Sequence, residues 1–377
     1  MDDRLHTILA RTGRSDLDRV AAGVLGVQAT VTGDPVLSVV YGHISDPRTL
    51  GVVKVSGMAE TGTGGPVPWS AVAKVVDLAK STVAETQWTR PEIEETIYEE
   101  GYFAGDGQKF RPARCHLVLR PEGSIRVFWL EDLTGAEHGP FGVERLSEMA
   151  RHLGEWSGAH RDIPDLKFTL PRDLFLTRWA QPGIESRCAR LRTLDPGVLR
   201  KSYRDVPIDV HSELRARLIA QNERTTTHPH GLAFGDCHVG NLFYLPGETV
   251  AIDWATLATE PIGADGGSLI GSMLGRAGLV DVIRNERALF DCYFEGLRSS
   301  GWKGERDDIR RGYFCQFGHY LVSTVGLMPV AVEHGDWPQA VMERRLEAPW
   351  EAIQDMLAQV IATYPEYLTE VTELAER

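Results

Sequence analysis

Short β-branched runs alternate with turn residues in the first third of the chain. Val36–Val40, Gly51–Val55 and Ser70–Val76 have the composition and length of strands. Two more apolar runs, Arg114–Arg120 and Ser124–Leu130, flank a Pro-Glu-Gly turn and are typical of a hairpin. The pattern therefore predicts a strand-rich N-terminal region.

Apolar residues recur at helical spacing elsewhere. Residues 89–101 carry Pro91 in what would be a first turn and place Ile93 and Ile97 on one face. Residues 143–160 form a second amphipathic pattern. The last third of the chain adds the candidates Ser268–Met273, Val280–Leu297, Asp308–Val325 and Arg344–Ala362. The C-terminal region is therefore predicted to be mostly helical.

A glycine-rich segment, Ser56–Pro66, separates the second and third predicted strands. Because glycine has no Cβ, such a loop can bring backbone N–H groups close to phosphates. No Gly-Lys-Ser/Thr follows, so the segment is not a P-loop. Ser56 and Gly57 are the candidate nucleotide contacts, and a flexible hairpin tip without a ligand is the alternative.

One lysine, Lys74, falls inside the apolar run Ser70–Val76. A buried cation is costly unless an anion pairs with it. The sequence therefore predicts either a paired, functional Lys74 or an exposed lysine on a sheet face.

The segment between Gly231 and Trp254 contains the most specific pattern. Asp236 precedes Asn241 by five positions, and Gly247 lies midway between Asn241 and Asp253. If the flanking runs pair as a hairpin about Gly247, their far ends meet and bring Asn241 close to Asp253. Oxygen ligands of this kind suit Mg2+ that keeps water and phosphate oxygens as its other ligands. Kinases space their catalytic Asp, metal-binding Asn and metal-binding Asp in this way; an Asp-rich turn beside an ordinary hairpin is the alternative.

Composition restricts the function further. The formal charge of −13 argues against a nucleic-acid-binding surface and would suit a cationic small substrate. No apolar run is long enough to span a membrane, and the charged start lacks the apolar core of a signal peptide. Five scattered cysteines, with no spacing typical of zinc ligands, favour reduced thiols and a cytoplasmic location.

The catalytic segment resembles that of the aminoglycoside phosphotransferase and choline kinase group. That family usually has HGDxHxxN followed by IDW or IDF, and this chain has FGDCHVGN and IDW. Phe234 replaces the usual His, which puts the rigidity of the loop in question. The resemblance implies an α+β, two-lobed, protein-kinase-like fold. It would have an antiparallel-sheet lobe with one key helix and a helical N-terminal extension over residues 1–132, and a mainly helical lobe over 133–377.

The resemblance also implies the nucleotide-binding residues. Lys74 matches the lysine of the kinase VAIK strand, and Glu94, followed four residues later by Tyr98, matches its helix partner. Glu95 is the second choice. The Leu130–Gly135 segment resembles the family's hinge, so the backbone at Glu131 and Leu133 is expected to contact the base of ATP, or of GTP as the alternative nucleotide.

Asp236 is then the expected catalytic base, and Asn241 and Asp253 are the expected Mg2+ ligands. The acceptor would be a hydroxyl group of a small molecule: an antibiotic, a sugar, a nucleoside or an amino alcohol. A kinase-like nucleotide-binding or scaffolding module without turnover is the alternative function. No activation segment of the protein-kinase type follows Asp253. The oligomeric state is left open.

Three further polar segments have expected roles in that fold. Asp265 is expected to be buried and to cap the helix that follows it. His228, His230 and His238 raise the question of a second metal, and the pair His228 and His230 in its proline-containing turn is expected to support a loop instead. The segment Glu333–Trp337 is expected to be a solvated turn, with a part of the acceptor site as the alternative.

Overall fold

The computed structural model describes residues 3–40, 48–62, 64–79, 91–103, 108–161, 182–224 and 228–377. The chain forms two compact units. The first comprises Met1–Gly107, Arg111–Ala136 and Ala251–Ala255, and the second comprises Gln108–Phe110, Glu137–Val250 and Thr256–Arg377. No helix within the described ranges is long and apolar enough to cross a membrane.

A five-stranded antiparallel sheet forms the centre of the first unit, in the order β1-β2-β3-β6-β5. Its strands are β1 (Ala29–Val39), β2 (Thr49–Thr61), β3 (Val67–Asp77), β5 (Cys115–Leu119) and β6 (Ile125–Glu131), and β4 is the short Phe110–Pro112. The helices are α1 (Asp3–Ala10), α2 (Arg14–Leu25) and α3 (Pro91–Glu100). The predicted start of α3 at Thr89 and Arg90 lies outside the described residues.

The two faces of this sheet differ because side chains alternate along each strand. Val53 and Ala73 point to a face that is fully buried against Leu17 and Val20 of α2. This packing explains why the amphipathic N-terminal helices form: they cover the apolar side of the sheet. The opposite face carries Lys74 and is partly exposed.

The glycine-rich loop is shorter than the sequence predicts. Ser56 and Gly57 lie within β2, opposite Ser70 and Trp69 of β3, and only residues 62–66 connect the two strands. The indole ring of Trp69 lies against Gly57, 3.3 Å from the position a Cβ would occupy, so this glycine serves packing. Thr63, in the same predicted loop, lies outside the described residues.

The register also determines where that turn lies relative to Lys74. Lys74 pairs with Val52, close to the beginning of β2, whereas the turn joins the other ends of β2 and β3. Val67 and Lys74 are seven positions apart on β3, a strand length of roughly 20 Å. The turn therefore lies at the end of β3 away from Lys74, and the nucleotide contacts of Ser56 and Gly57 remain a prediction.

The second unit is mainly helical. Its helices are α4 (Val143–Ala159), α5 (Pro182–Leu191), α6 (Pro196–Tyr203), α7 (Ile208–Glu223), α8 (Ala264–Gly271), α9 (Leu279–Arg284), α10 (Glu286–Ser299), α11 (Arg306–His319), α12 (Met328–Glu333), α13 (Gln339–Leu346), α14 (Trp350–Ile361) and α15 (Tyr364–Glu376). Its strands are β7 (Glu137–His138), β8 (His230–Ala233), β9 (Leu242–Leu245), β10 (Glu248–Ala251) and β11 (Ala258–Pro261). The predicted α+β class, with a sheet-containing N-terminal part and a helical C-terminal part, is confirmed, and the boundary after residue 132 remains a prediction.

Helices α4 and α10 pack closely through glycine. A Cβ at Gly154 would lie 2.0 Å from the carbonyl oxygen of Tyr293, and a Cβ at Gly296 would lie 2.2 Å from that of Arg151. Since no side chain could fit at either position, the two backbones can come into direct contact. This pair of helices forms part of the buried core of the second unit.

Two predicted helices are interrupted. The predicted helix over 280–297 is divided at Asn285, and the predicted helix over 344–362 ends at Leu346. Glu347 adopts a left-handed conformation with φ 55, and Pro349 lies just before the next helix. The periodicity continues across these breaks because both halves bury their apolar sides in the same core.

Candidate functional site

Lys74 lies between two carboxylates in the first unit. Its Nζ is 2.6 Å from Glu94 Oε2 and 3.0 Å from Asp253 Oδ1. The Glu94 side chain is 1% exposed, whereas that of Asp253 is 47% exposed. The predicted Lys74–Glu94 ion pair is therefore confirmed as a contact, and Asp253 has the accessible carboxylate of the three-residue cluster.

Charge and burial act on this cluster in opposite directions. Burial lowers the pKa of Lys74, but the nearby charges of Asp253 and Glu94 more than offset this and raise its pKa above the ordinary value. Burial raises the pKa of Glu94, and the charge of Lys74 only partly counteracts that increase. Lys74 is shared by two carboxylates. A phosphate could therefore replace a carboxylate at Lys74, and a metal ion could replace Lys74 at a carboxylate.

The backbone at Asp253 has an uncommon conformation. Its φ is 67, in the left-handed region that non-glycine residues seldom adopt. Trp254, which follows, is fully buried, stacks on Phe103 at 5.4 Å and donates its indole N–H to the carbonyl of Ala251. The buried indole of Trp254 thus holds this loop in place, while the carboxylate of Asp253 stays exposed.

The second-choice glutamate has different partners. Glu95 Oε1 accepts from Arg126 Nε at 2.5 Å and lies 2.8 Å from Arg120. The choice of Glu94 over Glu95 as the partner of Lys74 is therefore confirmed. Tyr98 supports Glu94 through a 3.4 Å hydrogen bond from its hydroxyl group.

Beyond β6, the predicted hinge is held by charged side chains. Glu131 pairs with Arg111 at 2.6 Å and accepts from the backbone N–H of Arg114, and its own backbone N–H donates to the carbonyl of Arg114 at 2.8 Å. Leu133 is buried. Their role as nucleotide contacts remains a prediction.

Sequence reasoning missed a polar network next to that hinge. Lys54, on the same sheet face as Lys74, lies 2.7 Å from Asp132 Oδ2 and donates to Thr134 Oγ1 at 2.9 Å. Ser70 donates to the same carboxylate at 2.6 Å. The alternation of β2 places Lys54 on this face, but its partner is distant in sequence, so no local pattern indicated the pair.

In the second unit, Asp236 and Asn241 lie together. Asn241 Nδ2 donates to Asp236 Oδ2 at 3.1 Å and to the Asp236 carbonyl at 3.2 Å. Because the amide N–H group points to Asp236, the amide oxygen is the group left to bind a cation. The two strands β9 and β10 that follow pair about Gly247, as the sequence predicts.

His238 supports the same loop. Its Nδ1 accepts from the backbone N–H of Gly240 at 3.0 Å, and its Nε2 lies 3.5 Å from Asp236 Oδ2. The His238 imidazole therefore supports this loop and also faces the candidate catalytic carboxylate. Among the described residues no cluster of three or more His, Cys, Asp and Glu side chains could hold a metal ion.

Asp265 is buried, as predicted, but it does not cap its own helix. Its carboxylate accepts from the backbone N–H groups of Phe234 at 2.6 Å and Gly235 at 3.0 Å. Gly235 has φ 84, and a Cβ there would lie 2.2 Å from the carbonyl oxygen of Thr256, so only glycine fits. The expectation of a helix cap is wrong, because the carboxylate accepts from the backbone that precedes Asp236 instead.

Phe234 takes the position of the family's histidine and is fully buried. Its ring packs edge-to-face on Phe110 at 6.2 Å, and its carbonyl accepts from Thr256 Oγ1 at 3.0 Å. Aromatic packing and the Asp265 carboxylate therefore supply the rigidity that the replacement put in question.

We expect Asp265→Ala to destabilise the second unit. The change leaves two buried N–H groups without their acceptor, at a cost of about 2–4 kcal/mol in the free energy of unfolding. Chemical denaturation followed by fluorescence measures this. Asp281→Ala is the control, since that side chain is 71% exposed, and equal stability of the two variants would contradict the anchoring role.

The remaining polar segments are structural or surface features. His230 Nδ1 contacts the carbonyl of His228 at 2.7 Å, as a loop support would. In the Glu333–Trp337 segment, Asp336 is held by Arg187 at 3.0 Å and by Arg190. That turn is therefore fixed to α5, and its alternative role in the acceptor site remains a prediction.

The sequence model of the phosphotransferase enzyme family (APH) matches residues 82–298, more than half of the chain. This match includes Glu94, Asp236, Asn241 and Asp253; Lys74 lies before it. A comparison with curated proteins finds no match.

Solved structures provide further comparisons. The chain is similar to a microcompartment-associated aminopropanol kinase, with 13% identity, a TM-score of 0.47 and coverage of 90% of this chain and 94% of that one. An aminoglycoside phosphotransferase from Alicyclobacillus acidocaldarius has 16% identity, a TM-score of 0.48 and coverage of 89% and 92%. A choline/ethanolamine kinase family protein from Mesorhizobium loti has 14% identity, a TM-score of 0.46 and coverage of 97% and 100%.

Proposed function

The chain belongs to the phosphotransferase enzyme family, and we propose that it is an ATP- and Mg2+-dependent kinase that phosphorylates a hydroxyl group of a small molecule. The observation that carries the proposal is the Lys74 cluster, in which one cation contacts Glu94 at 2.6 Å and Asp253 at 3.0 Å. A structural ion pair needs only one carboxylate. The second, exposed carboxylate suits a site that binds metal and phosphates.

Asp236 is the proposed catalytic base. It would orient the acceptor hydroxyl and take its proton as the new O–P bond forms and the bond to the leaving ADP breaks. Asn241 donates to Asp236 Oδ2 at 3.1 Å, and His238 Nε2 lies 3.5 Å from the same oxygen. Their contacts reduce the freedom of the base before the acceptor binds.

Asn241 and Asp253 are the proposed Mg2+ ligands. Their chemistry fits, because an amide oxygen and an exposed carboxylate are hard oxygen donors, and Mg2+ takes its other ligands from water and phosphate. The bound ion would neutralise charge on the phosphates. Lys74 would contact the phosphates, with Glu94 holding its ammonium group in place.

The nucleotide is proposed to lie on the exposed face of the sheet. Ser56 and Lys54 share that face with Lys74, and the backbone of Glu131 and Leu133 borders it at the hinge. Gly57 remains a predicted contact through its backbone. ATP is the proposed donor, and GTP is the alternative.

We expect Asp253→Ala to abolish Mg2+-dependent nucleotide binding. The variant removes the exposed carboxylate of the Lys74 cluster, so Mg2+ should no longer raise the affinity for ATP. Calorimetric titration of ATP with and without Mg2+ measures this, with the exposed Asp34→Ala as the control. An unchanged Mg2+ dependence would remove Asp253 from the metal site.

A screen tests the activity as a whole. Thermal shift with ATP and GTP identifies the donor, and nucleotide turnover is then measured over sugars, nucleosides, amino alcohols and antibiotics. Acceptor-dependent release of ADP is the expected result. Nucleotide binding without any acceptor-dependent turnover would favour the alternative, an inactive nucleotide-binding or scaffolding module.

A role in antibiotic resistance or secondary metabolism and a cytoplasmic location belong to the same proposal. The five cysteines, all within the described ranges, are free thiols, which suits a reducing compartment.

A further inference from the structure

The carboxylate of Asp132, in the hinge that follows β6, is surrounded by donor groups of the protein. Its Oδ2 accepts from Ser70 Oγ at 2.6 Å and lies 2.7 Å from Lys54 Nζ. Its Oδ1 accepts from the backbone N–H and from the hydroxyl group of Thr134, at 3.0 and 2.7 Å. An ionised carboxylate has about four lone-pair positions, so these donors occupy all of them.

The same donors keep Asp132 ionised. Burial raises its pKa, but the hydrogen bonds from Lys54, Ser70 and Thr134 outweigh burial and lower the pKa below its ordinary value. The side chain of Asp132 is 10% exposed, whereas that of Lys54 is 30% exposed. The carboxylate is therefore charged and covered, and Lys54 is the member of the pair that a ligand can reach more easily.

The neighbouring carboxylate of Glu131 has partners of the same kind. Arg111 donates to both of its oxygens, at 2.6 and 3.4 Å. The backbone N–H of Arg114 donates to Oε1 at 2.9 Å. Both acidic side chains of the hinge, Glu131 and Asp132, thus accept from donors of the protein itself.

The network around Asp132 lies on the face of the sheet that carries Lys74. Lys54 pairs with Val72 across β2 and β3, and Val72 is two positions from Lys74. Ser70 lies two positions further along the same strand. Because side chains alternate along a strand, Lys54, Ser70 and Lys74 all point to one face, which is the face where the nucleotide is proposed to lie.

Adenine and guanine would make different demands on the side chain of Asp132. This residue separates Glu131 from Leu133, and the backbone of those two residues is proposed to contact the base. Guanine has adjacent N–H donors at N1 and N2, whereas adenine has an acceptor at N1. A carboxylate with open acceptor positions would bind both guanine donors and would repel the adenine acceptor. A carboxylate with filled positions offers guanine no acceptor and leaves its donors unsatisfied.

We propose that Lys54, by occupying the Asp132 carboxylate, makes the nucleotide site selective for ATP over GTP. This inference rests on the proposed kinase function and narrows the choice of its phosphoryl donor. Lys54 is a positioning residue in this role, because it acts on the base through Asp132. Ser70 has the same role from the neighbouring strand, since it donates to the same oxygen.

Calorimetric titration of the full-length protein with non-hydrolysable ATP and GTP analogues, at saturating Mg2+, measures the preference. We expect the wild type to bind the ATP analogue more tightly by about tenfold or more, because guanine would leave N–H donors without acceptors. Lys54→Met frees an acceptor position on Asp132. The GTP analogue should then gain affinity, and the preference should fall about tenfold, the value of one charge-assisted hydrogen bond.

Four further variants separate this role from a general support of the hinge. Lys54→Arg keeps a cationic donor and should keep the preference for ATP. The double variant Lys54→Met with Asp132→Asn lacks the released carboxylate and should not gain affinity for the GTP analogue. Ser70→Ala opens a position on the same oxygen with a smaller change to the sheet, so it tests the proposal even if Lys54→Met does not fold. Lys201→Met removes an exposed lysine of the second unit and should keep the wild-type preference.

The outcomes distinguish this proposal from the proposed function. A wild type that binds both analogues equally overturns the selectivity and leaves the kinase function intact. Equal losses of affinity for the two analogues in Lys54→Met and Ser70→Ala, with the preference unchanged, also overturn it, because the network would then only stabilise the hinge. Binding of neither analogue by the wild type would remove the nucleotide site, and both proposals would fail.

Discussion

Asp236→Asn should abolish phosphoryl transfer and leave nucleotide binding nearly intact. Asparagine keeps the shape of the side chain and can still contact Asn241, but it cannot accept the proton of the acceptor hydroxyl. General-base catalysis contributes about 10²–10⁴-fold, so we expect kcat to fall by that factor. The Kd of the nucleotide should change little, because Asp236 is proposed to serve the acceptor and not the phosphates.

Single-turnover transfer and nucleotide titration, performed in parallel, measure the two effects. Asp205→Asn is the matched control, since Asp205 is exposed on the surface of the same unit. Near-wild-type turnover by Asp236→Asn would show that Asp236 is not the base. Loss of nucleotide binding would instead place Asp236 in the metal site, and the division of roles between Asp236 and Asp253 would be wrong.

The parts of the site that the sequence predicts are those encoded by local spacing. The hairpin about Gly247 follows from two short apolar runs and a turn, and both strands form as expected. Glu94 could be chosen over Glu95 only by its spacing to Tyr98 in the family resemblance, and the contact with Lys74 agrees. Helical periodicity likewise located α4 to within one residue at each end.

Other features depend on contacts between residues that are distant in sequence. The Asp265 carboxylate holds the backbone of Phe234 and Gly235, some thirty positions earlier, and no local pattern specifies that choice. The glycine-rich composition predicts a loop at Gly57, but this glycine accommodates Trp69 on the next strand.

Lys74→Met should reduce turnover by about 10²–10³-fold, the usual cost of removing one preorganised charge from a transition state. The fold should survive, although the change leaves Glu94 buried without its cation. Burial already raises the pKa of Glu94, and without Lys74 this pKa rises further, so Glu94 can bind a proton in place of the ion pair.

This reasoning gives the variant a distinct pH dependence of stability. A carboxyl group whose pKa is higher in the folded state than in the unfolded state binds more protons when folded, so the protein loses stability as pH rises through the interval between the two values. Lys74→Met should therefore become less stable as pH rises above about 4.3, the unfolded pKa of a glutamate, and the wild type should lose less over the same range. Denaturant unfolding over a pH series measures the difference.

The double variant Lys74→Met with Glu94→Gln should lose this pH dependence, whereas Lys74→Met with Glu95→Gln should keep it. If both double variants behave alike, Glu94 is not the group that responds to the loss of Lys74, and the ion pair does not control the charge of this site.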